Sequence, residues 1–312
     1  MQNKHLFGAM GEGFNILINR KSGTVLTMGE PAVEAAITAS EIPVAELCLS
    51  EPDDMQANLE RLSQKPQRLL IGGGDGTIRE TAKYLSTRKK AFGVLPFGTM
   101  NLLALDLGFT SLAQALDAYA NGTCEEAMDA GFVNGEIFLC CASIGTMPQA
   151  SVYREANRMT NKLLLLPQMF LFVADNMARH RRERIVVEAD GKMTRYRTPA
   201  VVVSANRFAD SEKLTESNFK RVSLSGGELA AYIFSTKSPA GHIRLLWRLI
   251  FGHWLKDPDL IERTGPRFRI WSQHHRPLVS IDGEVMKLKS PLEFTLKPDF
   301  VHLLMPVPEA SS

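Results

Sequence analysis

Residues 69–78, Leu69-Leu70-Ile71-Gly72-Gly73-Gly74-Asp75-Gly76-Thr77-Ile78, decide how the first half of this chain folds. An apolar run ends in three consecutive glycines, and Ile78, Ala82 and Leu85 follow at helical spacing. The pattern predicts a strand that hands over directly to a helix. Glycines there admit positive φ and remove the side chains that would hold a ligand away from the backbone. The free N–H groups and dipole of a helix start favour an anion. A carboxylate in the middle does not suit a bare phosphate, so Asp75 suits a magnesium ion that bridges to phosphates. Thr77 is placed to cap a helix over 78–85 or to donate its hydroxyl to phosphate. Taken alone, the turn reads equally well as a tight junction with Asp75 as N-cap. It is neither a P-loop nor a dinucleotide fingerprint, because no Gly-Lys-Ser/Thr follows and the third spaced glycine is missing.

Working outward, 14–18, 44–48, 68–71 and 92–95 read as strands, and 31–40, 55–62, 78–85 and 100–105 as helices. Such alternation predicts a parallel α/β layer. Two more of its strand ends are polar and carry glycine: Asn19-Arg20-Lys21-Ser22-Gly23 and Pro96-Phe97-Gly98-Thr99-Met100-Asn101. In a parallel sheet these turns fall with the glycine-rich one at the carboxyl ends, where ligands bind. Three of them together point to a nucleotide-phosphate site.

After Asn121-Gly122 the character changes. Runs at 137–141, 184–188, 200–203, 229–234, 268–271, 278–281 and 292–296 read as strands, and Asp190-Gly191 and Asp282-Gly283 as hairpin turns. The second half is therefore expected to be an antiparallel β domain with helical inserts near 156–182 and 239–255. Pattern alone assigns no home to the apolar run 300–305.

Composition bounds the function. A chain of 312 residues suits two domains, and 45% apolar with 22% charged residues is a globular composition. A net charge of +2 argues against a dedicated nucleic-acid binder. Cys48, Cys124, Cys140 and Cys141 show no metal or disulfide spacing and read as reduced thiols. No secretory signal is evident, and no run reaches the ~18 apolar residues of a spanning helix. A cytoplasmic protein is expected.

The motifs INRKSG at 18–23, GGDGTI at 73–78, PFGTMNLLA at 96–104, MDAGFVNGEIFLCCASIG at 128–145 and SIDGE at 280–284 occur in one order along the chain. In that order they resemble the diacylglycerol kinase catalytic-domain family of lipid kinases, which includes sphingosine and ceramide kinases. The resemblance implies an α/β Rossmann-like nucleotide-binding domain over 1–125, to which 297–312 returns. It implies a β-sandwich lipid-substrate domain over 126–296, with the site in the cleft between. It also implies ATP and Mg2+ as cofactors and a long-chain lipid as acceptor: diacylglycerol, ceramide or a sphingoid base. By the same resemblance Gly73, Gly74, Asp75, Gly76 and Thr77 hold the nucleotide phosphates and magnesium, and Thr99, Asn19, Ser22 and Ser50 contact the nucleotide. Glu284 is the general base, and Asp282 supports metal or positioning. Asp129 matches an acid that joins a magnesium network in some bacterial members.

There are departures. Leu102 stands where many members carry Asp, and Ser225-Gly226-Gly227 replaces an Asp-Asp-Gly turn that holds a second structural metal in some bacterial members. That second metal is expected to be absent. Two rival readings are a NAD kinase-like enzyme sharing GGDGT and a non-catalytic lipid-binding protein of the same fold.

A lipid kinase meets a membrane surface. Two segments carry that expectation: 162–174 with the basic run 179–184, and 242–256 with Trp247, Trp254, Arg244 and Arg248.

Overall fold

Strand β1 (Phe14–Asn19) anchors the first layer in a computed structural model that describes residues 13–145, 148, 183–189, 191–210, 219–235, 241, 244, 245, 247, 248 and 253–307. It is followed by α1 (Gly23–Met28), α2 (Glu30–Thr38), β2 (Val44–Ser50), α3 (Met55–Ser63), β3 (Arg68–Gly73) and α4 (Asp75–Ser86). Then come β4 (Phe92–Pro96), α5 (Leu102–Asp106) and α6 (Leu112–Ala120). Ile16, Leu17, Ile18, Leu69, Leu70 and Ile71 are all fully buried, as continuous apolar runs in a helix-covered parallel sheet must be.

The second half contains β5 (Thr123–Val133), β6 (Glu136–Phe138), β7 (Cys141–Gly145), β8 (Glu183–Ala189), β9 (Lys192–Thr198), β10 (Ala200–Ala205) and β11 (Leu229–Phe234). It continues with β12 (Leu260–Gly265), β13 (Arg267–Ser272), β14 (Leu278–Ile281), β15 (Glu284–Lys287) and the long β16 (Leu292–Pro306). The chain divides into two compact units, Met1–Met128 with Asp299–Ser312, and Asp129–Pro298.

The first unit is an α/β layer with strand order β2-β1-β3-β4-β16, all parallel. β2 lies on one side of β1 and β3 on the other, so the order reverses between β1 and β3, where their carboxyl ends leave a crevice. The run 300–305 finds its home here: the last residues of β16 pair with β4, Leu303 opposite Phe92. Tyr119 of α6 fastens that addition. Its buried hydroxyl accepts from Val94 N–H (2.9 Å) and lies within hydrogen-bonding distance of Leu304 O (3.3 Å).

The second unit is an antiparallel β-sandwich. One sheet pairs the start of β16 with β13, β13 with β8, and β8 with β9; the other runs β12-β11-β10-β7-β14-β15. Phe138, Ile185, Phe268 and Phe294 from one sheet and Val203, Ile233, Val279 and Ile281 from the other share one buried core. Ile281 pairs with Glu284, so Asp282-Gly283 forms the expected two-residue hairpin turn, and Ala189 of β8 pairs with Lys192 of β9.

Several elements differ from the expectation. Helix α4 begins at Asp75 rather than Ile78, with Gly74 as its N-cap. Asp75 is thus the first helical residue, and Thr77 lies inside the first turn rather than capping it. Asn101 adopts φ +52°, so α5 starts at Leu102 instead of Met100. The single strand expected over 137–141 is two, β6 and β7, interrupted at Leu139 and Cys140. Helices α1 and α6 and strands β5, β9, β12 and β15 are additional. The insert near 156–182 lies outside the described residues.

Candidate functional site

The crevice between β1 and β3 is built from three interlocked turns. Gly73 closes β3 opposite Pro96; a Cβ there would lie 2.5 Å from Thr77 Cβ, so only glycine allows α4 to start so tightly against the strand. Gly98 closes the neighbouring turn, where a Cβ would stand 2.7 Å from Gly74 Cα and 2.8 Å from Asn101 Oδ1. Two backbones approach without side chains between them, which is the geometry a phosphate cradle needs.

Asp75 ties these turns together. Its Oδ1 accepts from Leu102 N–H (2.7 Å) and its Oδ2 from Asn101 N–H (3.1 Å). The carboxylate therefore caps the start of α5 from another helix. Asn101 completes the turn by accepting Gly98 N–H on Oδ1 (2.6 Å). Asn19, at the end of β1, donates from Nδ2 to Thr77 Oγ1 (3.2 Å), and Thr24 N–H donates to Phe97 O (3.0 Å). The first, third and fourth strand ends thus form one hydrogen-bonded edge.

On that edge Asp75, Gly76 and Thr77 are half-buried, and Thr99 is exposed. Gly23 approaches Thr99: a Cβ on Gly23 would lie 3.6 Å from its Oγ1. Ser22 is buried, and its Oγ has no hydrogen-bond partner among the described residues. An orphaned buried hydroxyl beside a side-chain-free turn is what an oxygen-rich ligand would satisfy. Ser50 reaches the same edge opposite Asn19, but its hydroxyl already accepts from Asn58 Nδ2 (3.0 Å) and donates to Glu51 O (3.0 Å). Arg20, next to Asn19, pairs with Glu30 (2.5 Å) and Glu51 (3.2 Å).

In the second unit, Asp282-Gly283 turns β14 into β15 with φ +46° and +91°, and Glu284 follows as an exposed residue. Asp282 is buried. Its Oδ2 accepts Leu139 N–H (2.7 Å), and its Oδ1 accepts Cys140 N–H (2.9 Å) and Cys141 N–H (3.0 Å). These three bonds explain the break between β6 and β7, since the amides turn to the carboxylate instead of a ladder. Asp129 is also buried: its Oδ2 accepts Gly227 N–H (2.8 Å) and its own N–H donates to Leu224 O (2.8 Å).

The donor sets decide which metals fit. Ser225-Gly226-Gly227 itself carries no carboxylate, and the nearby Asp129 accepts the Gly227 amide on Oδ2. No group of three or more His, Cys, Asp or Glu suited to a metal occurs among the described residues. A nucleotide-borne magnesium needs only one or two protein carboxylates, the phosphates supplying the rest. Asp75 is half-buried, and a carboxylate offers about four lone-pair sites on its two oxygens, so it fits that demand.

Of the two expected membrane segments, 162–174 and 179–182 lie outside the described residues. In the other, Arg244 grips Asp257 with two bonds (3.0 and 3.1 Å) and Asp259 with one (2.5 Å), and Arg248 approaches Asp257 at 3.6 Å. Trp254 is buried against Phe208 and Tyr232, whereas Trp247 is 55% exposed. Among the described residues no helix is long and apolar enough to cross a membrane.

Comparison with known proteins places these features. Residues 14–133 match the model of the diacylglycerol kinase catalytic domain. A diacylglycerol kinase from Bacillus anthracis str. Sterne has the same fold, with TM-score 0.64 and 17% identity over 97% of this chain and 99% of that one. A Pseudomonas aeruginosa protein described as "Probable lipid kinase YegS-like" is 32% identical over 123 residues, 38% of this chain and 40% of its own length. A Synechocystis protein described as uncharacterised, sll0036, is 21% identical over 258 residues, covering 81% of this chain and 58% of that protein. The chain thus spans between 40% and 58% of the length of these curated relatives. The resemblance carried by the motifs thus extends to a match between residues 14–133 and the diacylglycerol kinase catalytic-domain model.

Proposed function

We propose that this protein is an ATP- and magnesium-dependent lipid kinase that phosphorylates a hydroxyl of a long-chain lipid such as diacylglycerol, ceramide or a sphingoid base. The observation that carries the reading is the interlocked edge at the sheet's reversal point, where glycine backbones, the orphaned Ser22 hydroxyl and the Asp75 carboxylate converge. Gly73, Gly74 and Gly76 leave room for phosphates against the start of α4. Ser22, Thr77, Thr99 and Asn19 supply hydroxyl and amide donors around them. Magnesium, when bound with the nucleotide, offsets the charge that develops as the γ-phosphoryl group departs. Asp75 would hold it directly or through water, and the same carboxylate keeps the 98–102 turn in place.

Glu284 takes the proton of the acceptor hydroxyl. An alcohol loses its proton only as phosphoryl transfer proceeds, so a positioned carboxylate is a sufficient base. Asp282, buried and accepting three amides, positions Glu284 rather than touching substrate. Peripheral contact with a membrane brings the enzyme to its acceptor, with Trp247 as one apolar contact. The pairing of Arg244 and Arg248 with acids makes anionic headgroups weak partners for that segment.

Incubation with labelled ATP, magnesium and a panel of lipids, with NAD as a further acceptor, tests the reading. A phosphorylated lipid is expected; phosphorylated NAD, or lipid binding without ATP turnover, would replace it with one of the rival readings. Glu284→Gln is expected to keep nucleotide affinity and lose turnover by about 100-fold, the low end of general-base contributions.

A further inference from the structure

The turn that carries Glu284 is braced from behind by a buried cation. Arg221 is 4% exposed, and its Nη1 donates to Leu139 O (2.5 Å) and Ala205 O (3.1 Å). The carbonyl of Leu139 and the N–H of Cys140 belong to one peptide group. Arg221 therefore holds that peptide by its oxygen while Asp282 holds it by its N–H (2.9 Å). A peptide dipole gripped at its negative end by a guanidinium and at its positive end by a carboxylate is polarised in one sense, so each bond strengthens the other. The flanking amides of Leu139 and Cys141 converge on the same carboxylate, and Asp282 N–H returns to Cys141 O (2.9 Å).

Arg221 is delivered to this place by its own loop. Phe208 and Arg221 form an isolated bridge, and Val222 N–H donates to Arg207 O (2.9 Å). Further on, Asp129 takes Gly227 N–H, and Asn206 exchanges bonds with Glu228 through N–H to Glu228 O (2.9 Å) and Oδ1 from Glu228 N–H (3.4 Å). Asp129 and Asn206 thus hold the turn that follows Arg221 in the chain.

We propose that Arg221 is a positioning residue for the transfer reaction, acting on Glu284 through the Leu139–Cys140 peptide and Asp282. The proposal rests on the reading of Glu284 as the general base. Its reach is confined to the acceptor side: nucleotide affinity belongs to the first unit and is independent of it.

Arg221→Met removes the charge with little change of length and leaves no unpaired cation behind; Arg221→Lys restores one donor. Three readouts are taken on the full chain. Amide hydrogen exchange at Leu139, Cys140 and Cys141 is expected to quicken at least tenfold in Arg221→Met and to recover partly in Arg221→Lys. Turnover is expected to fall about tenfold in Arg221→Met with nucleotide affinity within twofold of the parent. In a Glu284→Gln background the same substitution is expected to lower the residual turnover no further, because two groups acting as one unit are not additive. Unchanged exchange at 139–141 overturns the brace, whatever turnover does. An equal tenfold loss in both backgrounds overturns its action through Glu284. Near-normal turnover of Glu284→Gln alone overturns the general-base reading instead, and the exchange rates at 139–141 then decide by themselves whether the brace exists.

Discussion

Two aspartates, one in each unit, accept backbone N–H groups from a segment far away in sequence, yet they differ in how deeply that task encloses them. Asp75 takes two amides, from Asn101 and Leu102, and remains half-buried at the carboxyl edge of the parallel layer. Asp282 takes three, from Leu139 to Cys141, and is buried to 5% exposure inside the sandwich. The same device joins two loops in the first case and leaves the carboxylate partly exposed; in the second it lies buried against the backbone it holds. Carboxylates within glycine-bearing turns thus cannot be assigned to a metal from residue type alone; the donors already on them and their depth decide.

The contrast is tested most severely at the close approach beside Asp75. Gly98→Ala would push a methyl group to 2.7 Å from Gly74 Cα, a backbone atom with nowhere to yield. Overpacking on the order of 3 kcal/mol is expected there, and nucleotide affinity measured by calorimetry should fall by about 100-fold. Gly135→Ala, at φ +90° but with nothing within 4 Å, serves as the control and should leave that affinity unchanged.

A smaller effect separates the two aspartates themselves. Either Asp→Asn change sets an NH2 group against an amide donor, at a cost of about 1–3 kcal/mol. Asp75→Asn is expected to weaken nucleotide binding about tenfold. Asp282→Asn is expected to leave nucleotide binding alone and lower turnover, which paired binding and rate measurements would read. If both variants lost nucleotide affinity equally, the two carboxylates would not divide their work between nucleotide and acceptor.

The smallest effect is electrostatic and lies in the second unit. Burial pushes the Asp257 carboxyl up, but the bidentate Arg244 guanidinium, the Asp259 amide and the Arg248 charge together outweigh it and hold the group below the ordinary carboxylate range. A lowered folded-state value adds stability above about pH 4, and that stability is lost as pH falls through the folded-state value. The gap in melting temperature between the parent and Asp257→Asn should therefore be widest at neutral pH and shrink under acid, as graded-pH calorimetry would record.

How much of this was legible in the sequence follows from the range of each interaction. The parallel layer was visible because 69–78 is a local signal: apolar run, glycines, helical spacing. The polar strand ends were visible for the same reason. Strand β9, Lys192–Thr198, was not, since five of its seven residues are polar and it is recognisable mainly by its pairing with β8. The run 137–141 looked like one strand because Asp282, which takes its amides, lies about 140 residues further on in sequence. Arg221 had no signal at all; an arginine between Lys220 and Val222 reads as surface, and only the folded chain brings it to Leu139. Asp75 was recognised as chemically special, but its grip on Asn101 and Leu102 joins turns 26 and 27 residues apart and could not be read from spacing.

The long strand β16 sets the order in which the protein can be completed during synthesis. Its last residues are the fifth strand of the layer that begins at Phe14, and everything from Asp129 to Pro298 is made in between. At ordinary elongation rates that interval is roughly 10–30 s, during which β4 waits with an uncovered edge and Tyr119 without its bond to Leu304. The glycine-bearing edge is therefore emerging from the ribosome long before its sheet is whole, and a chaperone that shelters β4 over that interval would act on the unit that was translated first.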